Sequence, residues 1–252
     1  MEKAEYRKHF ELEENFWWFR GRRDILRNIL LPRLKQDKKL TLLDAGCGTG
    51  YNLKFFEALG TAYGCDFSED ALGFCRLRGL KKLARADIQK PPFKDRSFDF
   101  IALLDVLYHK NIKNDVEVLR EINRLLKNGG FLLLSDSALK ILSGRHDLAF
   151  HARERYRKKT LKARLERAGF SLVRGSYFNF FLFPVVLTIR LMENLAPPRN
   201  KAIQSDLQAV HPQLNAILYA ILRLEAFLCR HINLPLGSSI VCLAKKRHSN
   251  VL

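Results

Sequence analysis

The chain predicts an α/β fold, a mostly parallel sheet with helices on both of its faces. Strand-like and helix-like stretches alternate from Thr41 to Ser137, the order that a parallel sheet needs. Within that run, Leu42-Leu43-Asp44-Ala45 leads into Gly46-Cys47-Gly48-Thr49-Gly50, a glycine turn between a strand and a helix. Such a turn can bring backbone close to a ligand, and the free N–H groups of the following helix suit nucleotide-like molecules. The 252 residues are 47% hydrophobic, enough for one substantial core.

Each element has its own warrant. Tyr6, Phe10 and Trp17 recur at near-helical spacing, so residues 3–20 are expected to form an amphipathic helix with an aromatic face. Asp24 to Leu31 reads as a second helix that stops near Pro32. After the first strand and its turn, Tyr51 to Leu59 is helical and closes at Gly60. Thr61 to Cys65 is the second strand, ending in Asp66, and Ser68 with Glu69 and Asp70 makes a helix N-terminus. Leu83 to Ile88 is a short third strand carrying Asp87 near its end. The fourth, Ser97 to Asp105, is entered through the polar turn Lys94-Asp95-Arg96. A helix and the turn Asn128-Gly129-Gly130 precede a buried fifth strand, Phe131 to Ser135. Lys159 to Ala168 is helical and ended by Gly169, Ser171 to Arg174 begins a strand, and Ser239 to Ala244 is the last. The connection from about Asn179 to Gly237 is too long to lack structure. Pro184 to Leu195 and Leu214 to Cys229 fill it as helices, an insertion expected over the strands' C-terminal edge, where ligands bind in open sheets. The expected organisation is one domain: a cap at 1–40, a core at 41–178 and 238–247, and the insertion at 179–237.

Asp66 lies about 20 residues past the first glycine, where a carboxylate can accept both ribose hydroxyls. It could equally serve a helix cap, and both roles can hold. The spacing is G-x-G-x-G, without the G-x-G-x-x-G of dinucleotide folds and without a phosphate-loop Lys-Ser/Thr. The turn with Asp44 resembles motif I of the class I S-adenosylmethionine (SAM)-dependent methyltransferases. Asp66, Asp87, "FDFIALLDVLYH" and "LREINRLLKNGGFLLLSDS" follow in that family's order, over residues 41 to about 137. The resemblance implies a Rossmann-like seven-stranded sheet, mostly parallel with an antiparallel last strand, and SAM as cofactor. It also implies a cofactor site of Asp44, Gly46, Gly48, Gly50, Asp66, Phe67, Asp87, Ile88 and Leu104. In it, Asp87 would take the adenine amino group and the end of the fourth strand would line the methionine arm. Trp17-Trp18-Phe19-Arg20-Gly21-Arg22-Arg23 and His151 with Arg155-Tyr156 resemble a bacterial branch of the family. That likeness makes Trp18, Arg22, His151, Arg155 and Tyr156 candidates for the lid or the acceptor side, and Tyr108, after the fourth strand, is a further one. Packing or a solvated basic face would account for the same residues. His109, after the fourth strand, is the candidate general base, with an unperturbed pKa near 6.5; orienting its loop is the other role open to it.

Composition narrows the remaining choices. Net charge is +18, with Lys and Arg concentrated in Arg20–Lys39 and Arg153–Arg167. Such a balance suits nucleic acid, an anionic membrane or an acidic substrate. No zinc finger, RNP, KH or helix-turn-helix signature is present, and no Asn/Asp-Pro-Pro-Tyr/Phe motif follows the fourth strand, so nucleic acid ranks below the others. Tyr177 to Leu187 is apolar and aromatic but shorter than the ~18 to 20 residues of a membrane span. Those residues could be core, a homodimer interface, or a contact with lipid. Five cysteines without C-x-x-C or His/Cys ligand spacing point to buried thiols in a reducing compartment and to no metal. The expectation is a cytoplasmic protein, peripheral on the inner membrane face if the insertion meets lipid. It would methylate a small-molecule, sugar or lipid-linked acceptor. A non-catalytic SAM-binding partner and an RNA methyltransferase are the alternatives.

Overall fold

The computed structural model describes residues 3–34, 39–195, 208 and 210–247. Residues 35–38 of the expected basic run and the middle of the expected insertion lie outside them. The elements run α1 (Lys3–Leu12), α2 (Trp17–Leu30), β1 (Leu40–Ala45), α3 (Tyr51–Glu57), β2 (Gly60–Asp66), α4 (Glu69–Leu77) and β3 (Leu83–Arg85). They continue β4 (Phe98–Leu104), α5 (Asp115–Leu125), β5 (Leu126–Ser137), α6 (Arg145–Ala149), α7 (Lys158–Arg167) and β6 (Phe170–Phe178). The last three are α8 (Phe183–Leu195), α9 (Pro212–His231) and β7 (Ser239–Lys246).

The sheet has seven strands in the order β3-β2-β1-β4-β5-β7-β6. All neighbours pair in parallel except β7, which runs antiparallel to both β5 and β6. The strand order reverses between β1 and β4, which leaves a crevice at the carboxyl ends of these strands. Strands buried on both faces need near-continuous apolar runs, and β1, β4 and β7 are buried almost throughout. One core cluster joins Leu43, Ile101 and Leu132 to α5 and α7; the other joins Leu42, Phe100 and Val241 to α2, α3, α4 and α9. The sheet is therefore covered on both faces.

Four local expectations change. The helix expected over residues 3–20 is two helices, because Phe16 is extended (φ −71°, ψ 133°) and starts α2. The intervening Glu13 is drawn inward by Thr49 and Arg78. The third strand stops at Arg85, and Asp87 caps a turn by accepting from the Gln89 amide at 2.9 Å. The turn Asn128-Gly129-Gly130 lies inside β5 as an irregularity: Phe98 pairs with Leu126, but Phe100 pairs with Phe131. Of the two insertion helices, α8 reaches the strands' C-terminal edge. Helix α9 instead lies along α2, with Leu222 against Gly21 and Ala226 and Cys229 in the core. Phe178 and Phe183 are buried while Phe181 and Val185 are exposed, so the aromatic run is core in part and surface in part.

Candidate active site

A cavity of about 1550 Å³ opens at the carboxyl ends of β1, β2 and β4, under α1 and α2. Its floor is the glycine turn, where Gly46, Gly48 and Gly50 all have positive φ (79°, 54° and 86°). L side chains rarely adopt such angles, and a Cβ on Gly48 would point into open space, with no atom within 4 Å. The turn is thus open on the side where a ligand would lie. Cys65 O accepts from the Gly46 and Cys47 amides at 2.8 and 2.9 Å, which ties the turn to the end of β2.

Asp66, at the tip of β2, faces the turn. Its Oδ2 accepts from the Gly48 amide and its Oδ1 from the Ser68 amide, both at 2.9 Å. Ser68 is the cap of α4, accepting from Ala71 N at 3.4 Å. Each Asp66 oxygen keeps acceptor capacity toward the cavity. Burial pushes this carboxyl above the usual range, against the pull of the two amides. Phe67, Asp87, Ile88 and Leu104 line the same cavity. Phe67 is 62% exposed at its rim.

Two expected cofactor residues stand elsewhere. Gly50 is the N-cap of α3 and faces Leu80 and Cys75, outside the cavity wall. Asp44 is buried behind the turn, also outside the wall, and neither carboxylate oxygen has a hydrogen-bond partner. Burial pushes its carboxyl up to about 7, opposed by the Arg22 charge. Asp44 is a buried position of β1, and Gly50 is spent on starting α3, which accounts for both positions.

The cap supplies the roof. Trp18 and Arg22, both expected there, line the cavity. The Trp18 ring stacks on Phe178 at 5.7 Å. Arg22 is buried, with Nη1 2.9 Å from Asp105 Oδ2, while Nε and Nη2 have no partner. Asp105 holds its position at φ +57°. Two cap residues went unrecognised in the sequence. Glu13 accepts from the Thr49 hydroxyl and from Arg78 Nη2 (3.1 Å), clamping α1 to the glycine turn, and burial raises its carboxyl. Tyr6 lines the cavity, its phenol pushed up to about 12 by burial and by the nearby Asp66 charge. Both read in sequence as ordinary positions of an amphipathic helix, and only tertiary docking gives them this place.

On the far side, Tyr108 and His109 follow β4 into the cavity wall. His109 Nδ1 accepts from the Asn111 amide at 3.3 Å. Burial, with positive charge on His151 and Lys110 nearby, lowers its pKa to about 4. The imidazole is therefore neutral near pH 7. Burial raises the Tyr108 phenol well above its ordinary range. His151 lies outside the wall at φ +52°, its ring edge-on to His109 at 5.9 Å. Arg155 lines the cavity, but its guanidinium is already engaged, with Nε and Nη2 on Asp147 (both 2.9 Å) and Nη1 on Ala138 O (3.1 Å). Tyr156 is fully buried, donates to Asp115 Oδ2 at 2.8 Å, and does not reach the cavity. Arg155 and Tyr156 hold the segment after β5 in place, and neither offers a free group to an acceptor.

Comparison with known proteins bears on the domain and the fold. Residues 43–134 match the family described as methyltransferase domain. Demethylmenaquinone methyltransferase of Geobacillus stearothermophilus is 31% identical over 139 residues, covering 51% of this chain and 56% of that protein. The chain thus spans about half the length of the curated relatives it matches; for a Methanocaldococcus jannaschii protein of uncharacterised role the share is 49%. Among solved structures, the fold matches a SAM-dependent methyltransferase of Archaeoglobus fulgidus with a TM-score of 0.60 and 18% identity, over 94% of this chain and 99% of that one. It also matches a chain from a complex of the Haloferax volcanii Trm112 methyltransferase activator with a methyltransferase: TM-score 0.63, 18% identity, 98% and 96% coverage.

Proposed function

Because residues 43–134 match the methyltransferase-domain family, we propose that the protein transfers a methyl group from SAM to a small-molecule or lipidic acceptor. The observation that carries this reading is the open Gly48 turn facing the Asp66 carboxylate across one cavity. The donor set suits the cofactor. Asp66 would accept from the ribose hydroxyls, and Asp87 and the Ile88 amide would meet the adenine. The buried Arg22, which lines the cavity with two donors unpartnered, is complementary to a carboxylate.

When bound, SAM supplies a sulfonium methyl that an acceptor heteroatom displaces in line. The chain's own contribution is position and exclusion of water. Orientation of that kind contributes ~7 to 11 kcal/mol in well-aligned systems. Tyr6, Glu13 and Trp18 close the roof, and neutral His109, which lines the cavity, would take a proton from a hydroxyl or amine acceptor. The chain's charge of +18 and the apolar face of α8 at the cavity favour an acceptor held at an anionic membrane.

The test is turnover of labelled SAM on a lipid extract, a small-metabolite extract and total RNA, side by side. Label in the lipid or metabolite fraction is expected. Label in RNA would replace the acceptor class, and SAM binding without transfer to any fraction would favour a non-catalytic partner. The likeness to a chain crystallised with an activator supports adding a partner protein before a negative result is accepted.

A further inference from the structure

Helix α9 is twenty residues long, and among the described residues only its inner face is covered. Leu222, Glu225, Ala226 and Cys229 are buried against α2 and the sheet, while Leu214, Ile217, Leu224 and Phe227 point outward. Ile217 is 59% and Phe227 61% exposed. Spacings of three, seven and three place these outward side chains in one stripe of a 3.6-residue helix. Charge is sorted across the same helix. Its one carboxylate, Glu225, is fully buried and accepts from the Phe181 amide at 2.8 Å. Its arginines, Arg223 and Arg230, are exposed.

These two arginines, Arg27 of α2 and Phe227 line a groove of about 730 Å³ between α2 and α9. The carboxylate in that groove, Asp24, already accepts from the Tyr219 hydroxyl at 2.9 Å. An apolar stripe beside a cationic groove describes a surface that needs hydrocarbon and anionic oxygen together. The sorting recurs on α8, where Val185, Ile189 and Met192 are exposed and Glu193 is turned to Arg190 at 2.6 Å. No helix among the described residues is long and apolar enough to cross a membrane. An amphipathic helix of this kind lies in the bilayer interface.

We propose that α9 docks the protein on an anionic lipid bilayer, with Ile217, Leu224 and Phe227 below the headgroups and Arg27, Arg223 and Arg230 among the lipid phosphates. The surface deepens the lipidic-acceptor reading, on which it rests for its use though not for the binding itself. Ile189 and Val186 of α8 line the cavity, so an acceptor from the lipid phase would enter past α8. A second copy is the poorer occupant, since two chains of charge +18 repel. A nucleic acid would leave the apolar stripe in water.

The experiment is flotation of the full chain with vesicles of phosphatidylcholine alone and of phosphatidylcholine mixed with phosphatidylglycerol, with SAM binding measured by calorimetry on the same preparation. Recovery is expected with the anionic vesicles and should fall with salt. R223Q/R230Q should lower partitioning by roughly fivefold per arginine removed. I217D/F227D should abolish recovery while leaving SAM affinity unchanged. Absence of the native protein from anionic vesicles overturns the proposal, as does capture of an acidic protein in place of vesicles. If I217D/F227D fails to fold, the arginine variant decides, and wild-type recovery from it overturns the proposal. Flotation without SAM affinity would leave the docking surface standing and remove the methyltransferase reading instead.

Discussion

Asp66 carries two backbone amides already, those of Gly48 and Ser68, so its carboxylate is oriented before any ligand arrives. A charged partner lost from buried hydroxyls costs about 1.5 to 3 kcal/mol. Asp66→Ala should therefore weaken SAM binding by roughly tenfold or more in calorimetry. A folded variant that binds SAM as the native protein does would remove Asp66 from the ribose site. His109 makes a different kind of claim. With its pKa lowered to about 4, it is the neutral imidazole over the whole physiological range. If it is the base, kcat should rise with pH through about 4 and stay level from there to neutrality. His109→Ala should then lower kcat by ~10²-fold with SAM affinity unchanged. A profile centred near 6.5 would contradict the burial of this ring. The low pKa was not legible in the sequence, because it depends on what packs over the imidazole. The same holds for Glu13 and Tyr6, whose partners Thr49 and Asp66 lie far along the chain. Arg155 and Tyr156 looked available for the opposite reason: Asp147 and Asp115, which occupy them, carry no local sign of doing so.

At the scale of elements, the α2–α9 pair is the contact that periodicity alone could not reveal. Helix α9 was readable from its apolar spacing, whereas α2 was divided between two expected helices, and nothing in either names the other. Gly21 sits where the two axes come together: a Cβ there would lie 3.0 Å from Leu222 Cγ and nearer still to other Leu222 atoms. A mid-helix glycine costs about 1 kcal/mol of helix propensity, and close approach is the return. Gly21→Val should overpack the pair and destabilise by about 1 to 3 kcal/mol in denaturant melts. Leu222→Ala in the same chain should relieve part of that loss, so the double variant should be more stable than the sum of the singles. Additive losses would show that the two residues do not meet. Strands β1 and β4 were legible nearly to the residue, because their apolar runs are buried on both sides. The break at Glu13–Phe16 was not, since it follows from where Glu13 is anchored.

Across the whole molecule, carboxyls around the cavity hold protons more tightly than in an unfolded chain. Asp44 is pushed up to about 7, and burial raises Glu13, Asp66 and Asp136 as well. For Asp44 the folded value lies above the unfolded one. Its contribution to stability is therefore full below the unfolded pKa near 3.9 and is lost as pH rises through about 7. The slope is at most about 1.4 kcal/mol per pH unit for one such group. Thermal melts of the ligand-free protein should show Tm falling from mildly acidic to neutral pH. Asp44→Asn should flatten that fall, and an unchanged slope in the variant would place the titration elsewhere.

The pairing of α2 with α9 also sets an order of events. Asn215 Oδ1 accepts from the Trp17 amide at 2.8 Å, and the Asn28 side chain donates to Ala226 O at 2.8 Å, each across 198 residues of chain. A ribosome delivers the first of these helices long before the second, at about 5 to 20 residues per second. During that interval the outer side of α2 has no α9 against it, and the roof it carries is only half braced. Strands β1 to β5 and the glycine turn can pair while translation continues, but the roof waits for α9 to clamp α2, and the β6 edge of the sheet waits for β7 behind it.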